Sequence, residues 1–512
     1  MSILNLQTKE YMKQTIYQQM KEAMAMPAVR VRRIVVAVAL LTAMAGMSSC
    51  TSFLEVDEKG KATIPSFLSD PDGLNAGLVG AYYETFTYYD NEFGKYADVA
   101  GDMLQLNTTV SDMLDIYNYT SDASNETSSS SYMWRRIYVA LANTNNVLEY
   151  GPRVLSGYPA RKSQVERTMG EAYFLRALCH FDLCRVFAQT YAYTSDASHL
   201  GVPVLTVTPS PDDNVSRRSV AEVYEQILSD LTEAERLLAD KQQRGEKYVS
   251  LQSVYALRSR VCLYKEDWDE ALRYARKAMG EDGVPAAGIV SGSLAQGSDY
   301  TAMFENLGTA GEMIFRLSGE NNKGKMKTFY ESSGVPSDTL VSLFDEGDIR
   351  LSLLYKDGVA GTSSTKQCRK YSATTSPDGK ADRDDPVVIR LSEVYLNAAE
   401  AACMKGEYAA AKGYLLPLLA RAVGEASASA VINATADGQL LALIKRERTK
   451  ELCCENHRLF DLTRWKDDLV RPANSSSSLK RLSYPNDRFV QPIPLAELNA
   501  NTNMQPNPTV NN

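Results

Sequence analysis

Between Ser163 and Asp240 the apolar residues recur every three to four positions, and that period commits the chain to packed helices. In "SQVERTMGEAYFLRALCHFDLCRVFA", Met169, Ala172, Leu175, Leu178, Phe181 and Leu183 share one face. "SVAEVYEQILSDLTEAERLLAD" repeats the pattern with Val220, Val223, Tyr224, Ile227, Leu231 and Leu237. Ser219 with Glu222 three residues on predicts a capping box at its start. A helix with one apolar stripe is stable only against a partner, so a multi-helix scaffold follows.

Two segments extend this to helical hairpins of the tetratricopeptide kind. In "LRSRVCLYKEDWDEALRYARKAM" a helix ends near Tyr264, Lys265-Glu266-Asp267 turn, and Trp268, Ala271, Tyr274 and Ala278 line the returning helix. In "IRLSEVYLNAAEAACMKGEYAAAKGYLLPLLARA" the turn is Lys405-Gly406-Glu407, followed by Tyr408, Ala411, Leu415 and Leu418. Small residues at the crossing let antiparallel helices approach. Ala271 and Ala411 stand 140 residues apart, so the chain is not a tandem array with a period of about 34. Residues 281–300 and 357–385 are rich in Gly, Ser and polar residues and read as surface loops. "VPVLTV", "EMIFRL" and "FVQPIP" are the best strand candidates. The fold class is mainly α, a helical hairpin scaffold with long irregular loops and a few short strands.

At the N-terminus Arg30, Arg32 and Arg33 precede "IVVAVALLTAMAG", the layout of a secretory signal peptide over residues 1–49. Its thirteen apolar or small residues fall short of the roughly 20 that span a bilayer. The leader before the arginines is long, and Met24 or Met26 would serve as a start. "MSSC" resembles a lipobox, with Met47 a loose fit at its third position before the cysteine, and Cys50 is the expected acylated residue. Glu55, Asp57 and Glu58 just beyond it resemble the acidic tag of surface-exposed Bacteroidetes lipoproteins. Residues 1–49 carry +4, so the remainder of a chain of net charge −8 carries −12. A surface that acidic does not suit nucleic acid, whose phosphates need a concentrated positive face.

Seven cysteines follow Cys50, an odd number with no Cys-x-x-Cys, so they read as buried small hydrophobes rather than a disulfide framework or a zinc site. His180, His199 and His457 are too far apart to suggest a triad. The sequence calls for no cofactor, no metal and no catalytic residue.

"RERTKELCCENHRLFDLTRW", Arg446 to Trp465, is the densest run of charge. Arg448 and Glu451, Arg458 and Asp461, and Asp461 and Arg464 stand at i and i+3, close enough to pair on a helix. Glu455 joins the same lattice. Asn456 tolerates a left-handed turn and would let one helix end and another begin. The alternative, an acid–base site of His457 with Glu455 or Asp461, lacks an activated nucleophile.

This segment resembles the C-terminal signature of the SusD/RagB family of outer-membrane lipoproteins, commonly Arg-x-x-Glu-Leu-x-x-Glu-Gly-x-Arg-x-x-Asp-Leu-x-Arg-Trp, with Asn456 in place of the glycine. "SFLEVDEKG", "WRRIYVALANTNNVL", "GEAYFLRALCHFDLCRVFA", "LGVPVL", "LFDEGDIR", "PVVIRLSEVYLNAAEA" and the closing "PIPLAELNANTNMQPNP" are similar to family blocks in the same order. The resemblance implies one SusD-like domain over 50–512, with an N-terminal part of about 50–240 and a C-terminal part of about 250–512. It implies a lipid-anchored protein of the cell outer membrane that binds a nutrient ligand and delivers it to a SusC-like TonB-dependent β-barrel transporter. Oligosaccharide is the expected cargo and peptide the alternative. A glycoside hydrolase and a protein–protein scaffold are the remaining rivals.

The three tryptophans fall in scaffold blocks, so an aromatic platform must use Tyr or Phe. Tyr88, Tyr89, Phe93, Tyr96, Tyr117 and Tyr119 crowd a region with Asp98, Asp102 and Asn107, and flat rings beside polar groups suit a sugar face. The alternative is that these tyrosines fill gaps in the core. Tyr300, Phe304, Phe329 and Tyr330 form a second cluster.

Overall fold

Residues 63–107, 113–210, 212–306, 310–319, 324–358, 365–372 and 384–508 are described in the computed structural model of the protein. The signal segment and Cys50 lie outside them.

Helix starts are set locally. Helix α1 (Pro71–Tyr88) begins where the Asp70 carboxylate accepts from the Asp72 and Gly73 amides at 2.9 Å, and Pro71, with no N–H to leave unpaired, takes the first position. A short helix α2 (Gly94–Ala100) follows, then α3 (Ser129–Gly157), capped by Ser128, and α4 (Lys162–Phe187). Helix α5 (Val220–Leu238) opens with the predicted capping box: the Glu222 amide donates to Ser219 Oγ at 3.2 Å, and the Ser219 amide donates to Glu222 Oε2 at 2.8 Å. The apolar stripes then meet in sequence order, α1 on α3, α3 on α4 and α4 on α5.

The first hairpin pairs α6 (Leu251–Tyr264) with α7 (Trp268–Ala278) across the expected turn, where Glu266 adopts φ +60°. Helix α8 (Lys325–Ser332) lies in the insertion. The second hairpin joins α9 (Leu391–Met404) to α10 (Tyr408–Val423), with Gly406 at φ +77° in the turn. Helix α7 packs against α9, so the second hairpin stacks on the first across the long insertion. Buried Ala271, Ala275 and Ala278 on α7 and Ala398, Ala399 and Ala402 on α9 allow the close approach. Lys405 Nζ meets Asp269 Oδ1 at 2.8 Å between the two turns.

Among the described residues the strands form three antiparallel pairs: β1 (Leu104–Leu106) with β3 (Gly334–Pro336), β2 (Met313–Arg316) with β4 (Val387–Arg390), and β5 (Leu469–Val470) with β6 (Arg481–Leu482). "EMIFRL" supplies β2 as expected, but "VPVLTV" and "FVQPIP" are not strands. Pro203, Pro492 and Pro494 lack the N–H a ladder needs. The amides that remain go elsewhere, Leu205 to His180 Nε2 at 3.1 Å and Gln491 to the Val186 carbonyl at 2.9 Å.

The charged C-terminal run forms α11 (Asp437–Glu451), a turn, and α12 (Arg458–Arg464). Asn456 stands at φ +60° in that turn, as its place in the sequence predicts. It also docks the turn on α2: its Oδ1 accepts from the Ala97 amide at 2.7 Å and its amide donates to Asp98 Oδ2 at 2.8 Å. Of the three expected i,i+3 pairs, Asp461 with Arg464 forms, at 2.9 Å. The other two are corrected. Arg448 reaches Asp461 at 2.8 Å, Arg458 reaches Asp102 at 2.6 and 3.1 Å, and Glu451 is held by Arg390 and Arg421 at 2.6 and 2.7 Å. The carboxylates of Asp102, Glu451 and Asp461 are buried, and a buried carboxylate needs several donors from different directions, which a neighbour one turn away on the same helix surface does not supply alone. Glu455 pairs with Arg390 at 2.7 Å and with Lys370. The lattice fastens α11 and α12 to β4, α10 and α2.

Candidate ligand-binding cleft

The helical run from Pro71 breaks where it meets Asp90. Residues Tyr89–Phe93 widen into a π-turn, and Asn91 leaves helical geometry at φ −107°, ψ −128° before α2 resumes. This kink delivers Asn91, Glu92 and Lys95 to one wall of an open cleft of about 580 Å³. Lys325, Thr328 and Phe329 of α8 line it from another side, and Asn125, Thr127 and Ser128, ahead of α3, from a third. Met113 and Asp115 also line it. Among the described residues, polar side chains therefore surround one aromatic ring, that of Phe329.

The lining is partly ordered by its own contacts. Asn91 Nδ2 donates to the Thr87 carbonyl at 2.6 Å, which leaves its Oδ1 to accept from Lys325 Nζ. The Lys95 ammonium lies 5.0 Å from the Phe329 ring centroid, so one face of that ring is already occupied by a cation. Beside the cleft, two carboxyl groups from distant parts of the chain meet the N-terminus of α8. Asp90 Oδ1 accepts from the Lys325 amide at 3.2 Å, and Asp384 Oδ2 accepts from the Lys327 amide at 2.5 Å. Burial raises the Asp90 pKa to about 6, opposed by hydrogen bonds from Asp384 and the α8 amides. Burial and then the charge of Asp90 push Asp384 well above the usual carboxylate range. Burial therefore favours the protonated form of both carboxyls beside the start of α8, which carries Lys325 and Thr328.

The tyrosines expected to form a platform are taken up by the core. Tyr88 donates to Asp182 Oδ2 at 3.0 Å, Tyr89 packs its ring 4.9 Å from Phe93, and Tyr96 accepts from Gln491 Nε2 at 3.3 Å. Tyr117 bonds Ser475 Oγ at 2.8 Å, and Tyr119 donates to the Ala100 carbonyl at 2.7 Å. All five are buried, so the core-filling alternative describes them and they present no open face to the cleft. Asp98 is buried under hydrogen bonds from Tyr330 and Asn456, and burial carries its pKa up to about 7. Asp102 is the partner of Arg458. Asn107 is exposed, and its amide donates at 2.7 Å to the carbonyl of Ser333, a cleft residue. Of the second cluster, Phe329 reaches the cleft while Tyr300, Phe304 and Tyr330 are buried elsewhere.

The residues that do line the cleft flank the tyrosines in "YYDNEFGKY" and fill the polar run "SNETSSSS" ahead of α3. A helix pattern interrupted by Asp-Asn-Glu was the legible signal. His457 is buried, and desolvation with the guanidinium groups of Arg260, Arg448 and Arg185 lowers its pKa far below 6.5. It stays neutral in the lattice.

Two family models match the chain: one described as "Starch-binding associating with outer membrane" over residues 52–263, and one described as "SusD family" over residues 355–509. Among curated relatives, SusD-like protein P38 of Formosa agariphila is 27% identical over 241 residues, 45% of this chain and 42% of that protein. SusD-like protein P25 of the same organism is 21% identical over 91% of this chain and 96% of its own length. A SusD superfamily protein of Bacteroides thetaiotaomicron superposes with a TM-score of 0.75 at 25% identity, covering 86% of this chain and all of that one. With signature blocks, helical scaffold and both family models in agreement, the chain belongs to the SusD/RagB family.

Proposed function

We propose that the protein binds an oligosaccharide in the cleft between the Tyr89–Phe93 turn, α8 and the start of α3, and passes it without covalent change to a SusC-like TonB-dependent β-barrel transporter. The observation that carries this reading is the cleft itself: about 580 Å³, open, and lined by amides, hydroxyls, carboxylates and lysines around Phe329. Sugar hydroxyls need donors and acceptors in alternation: Asn125 Nδ2 and the two lysines are donors, and the Thr127, Ser128 and Thr328 hydroxyls, which donate to Asn125, Ser131 and the Gly324 carbonyl, keep lone pairs that accept. The family description, starch-binding in association with the outer membrane, agrees with this chemistry. In this reading Cys50 carries the lipid that holds the mature chain at the outer membrane, surface-exposed.

The test is calorimetry of the mature protein against a panel of neutral glycans and peptides, with Thr328→Trp to fill the cleft. Glycan binding that Thr328→Trp weakens by about tenfold or more supports the proposal. Binding of peptides alone, or release of reducing sugar from any bound glycan, overturns it.

A further inference from the structure

The seven cysteines among the described residues are free thiols, all buried. Cys179 and Cys184 on α4, Cys262 on α6 and Cys403 on α9 fill the helical core, as small hydrophobes do. The other three lie outside any helical stripe. Cys453 and Cys454 stand in the turn between α11 and α12, and Cys368 lies in the irregular segment 365–372 packed against that turn.

Both sides of this contact are fixed by hydrogen bonds. The amides flanking Cys368, of Gln367 and Arg369, donate to the Leu354 and Leu353 carbonyls at 3.0 and 2.8 Å. Cys454 is held at φ +62°, followed by the Glu455 amide on the Leu452 carbonyl at 3.2 Å and the Asn456 amide on Asp98. Lys370, two positions after Cys368, straddles the turn: its Nζ donates to the Glu451 carbonyl at 2.7 Å and to the Glu455 carboxylate. Tyr371 then stacks on Tyr330 of α8, with ring centroids 5.2 Å apart. Between these clamps the three thiols meet. Hydrogen bonding to the Cys368 thiol, then to Cys453, and then burial push the Cys454 thiol well above its ordinary range. A void of about 10 Å³ borders Cys453 and Cys454. Bonded sulfurs stand about 2.0 Å apart, so the thiols must close up, and the void leaves them room to do so.

We propose that Cys368 and Cys454 form a disulfide in the cell envelope, a covalent staple between the segment 365–372 and the α11–α12 turn. The envelope is an oxidising compartment in which such bonds persist. The oxidant is itself a disulfide, either an oxidised protein dithiol or glutathione disulfide. The thiolate of one cysteine attacks a sulfur of the oxidant and displaces a thiolate. The thiolate of the other attacks the mixed disulfide and displaces the second. The chain gives up two electrons and two protons, and the oxidant leaves as two thiols. Exchange takes place while the turn is docking on α2, when both sulfurs still meet solvent, and burial then shields the bond. Cys453 is not the partner of Cys454, because a bond between neighbours in sequence departs from the geometry disulfides adopt. A metal is not the better occupant either: among the described residues no three His, Cys, Asp or Glu side chains converge to hold one. The staple joins residues 86 positions apart and so restricts the unfolded chain. Through Tyr371 it also braces α8 from behind the cleft.

Peptide mapping tests the proposal on protein extracted from cell envelopes in excess N-ethylmaleimide, denatured, digested and read by mass spectrometry. The expected result is a linked pair of peptides carrying Cys368 and Cys454, with the other cysteines after Cys50 alkylated. In Cys368→Ala, Cys454 should be alkylated as well. A reductant should lower the thermal midpoint of the parent protein by about 3–5 °C and leave that of Cys368→Ala unmoved. If Cys368→Ala fails to fold, the peptide map of the parent decides alone. Alkylation of both Cys368 and Cys454 in the parent, or a bond from Cys454 to Cys453 or to any other cysteine, overturns the proposal. The map involves no ligand, so its outcome is independent of the glycan titrations that test the cleft.

Discussion

Glu451 has no exposed surface and lies among the guanidinium groups of Arg390, Arg421 and Arg350. Desolvation alone would raise its pKa, yet the three arginines together hold it well below the usual carboxylate range. Replacing it by Gln leaves buried cations under-compensated, and a loss of about 3–5 kcal/mol is expected in urea unfolding. Asp90 runs the other way. Its folded pKa of about 6 is above its value in the unfolded chain, so its contribution to stability is complete below about pH 4 and is lost as pH rises through 6. Asp90→Asn should therefore flatten the fall of unfolding free energy between about pH 4 and 7, by up to about 3 kcal/mol. An unchanged pH profile would refute the burial-raised titration of Asp90 beside α8. Tyr88 teaches the limit of reading residue types: a tyrosine among polar neighbours has the same composition whether it faces a sugar or Asp182, and only burial separates the two.

The elements themselves were largely legible. Capping boxes, turn residues and apolar stripes act within a few residues of each other, so the start of α5 and both hairpin turns fall where the sequence places them. Ser219→Ala removes one half of the capping box and should cost about 1 kcal/mol, measured by thermal or denaturant unfolding. At the α11–α12 turn, Asn456→Ala loses the bond to the Ala97 amide and forces an alanine into φ +60°. The two costs together come to about 2–3 kcal/mol. Asn456→Gly relieves the backbone part and should recover about half of that loss. The strands were less legible because two-residue and three-residue pairs leave almost no period to read, and proline-containing apolar runs imitate them.

At the scale of the molecule, the helical stack is continuous in space although 140 residues separate Ala271 from Ala411. The insertion between the hairpins carries α8 and, with the Tyr89–Phe93 turn and the start of α3, builds the cleft. In the proposed function the scaffold role thus falls to the stacked helices and the binding role to the turn, the short helices and the loop segments that line the cleft. Tyr96→Phe should leave glycan affinity within about twofold of the parent protein, whereas Asn91→Ala should weaken it by about tenfold. Equal effects of the two in calorimetry would mean that the cleft is not the site. In the proposed function Cys50 carries the lipid, and Cys50→Ser should then move the protein from the membrane to the soluble fraction of the cell envelope, which fractionation reads directly.

Periodicity, caps and turn chemistry are written in neighbouring residues, and they determined the helices, the two hairpins, the left-handed turn at Asn456 and the family signature. Which carboxylate meets which guanidinium, which tyrosines are covered and which polar groups remain facing a cavity depend on residues hundreds of positions apart. Arg458 with Asp102 and Asp90 with Asp384 are such meetings. No local pattern encodes them, because burial and desolvation arise only once the stack has closed and the insertion has folded back on it.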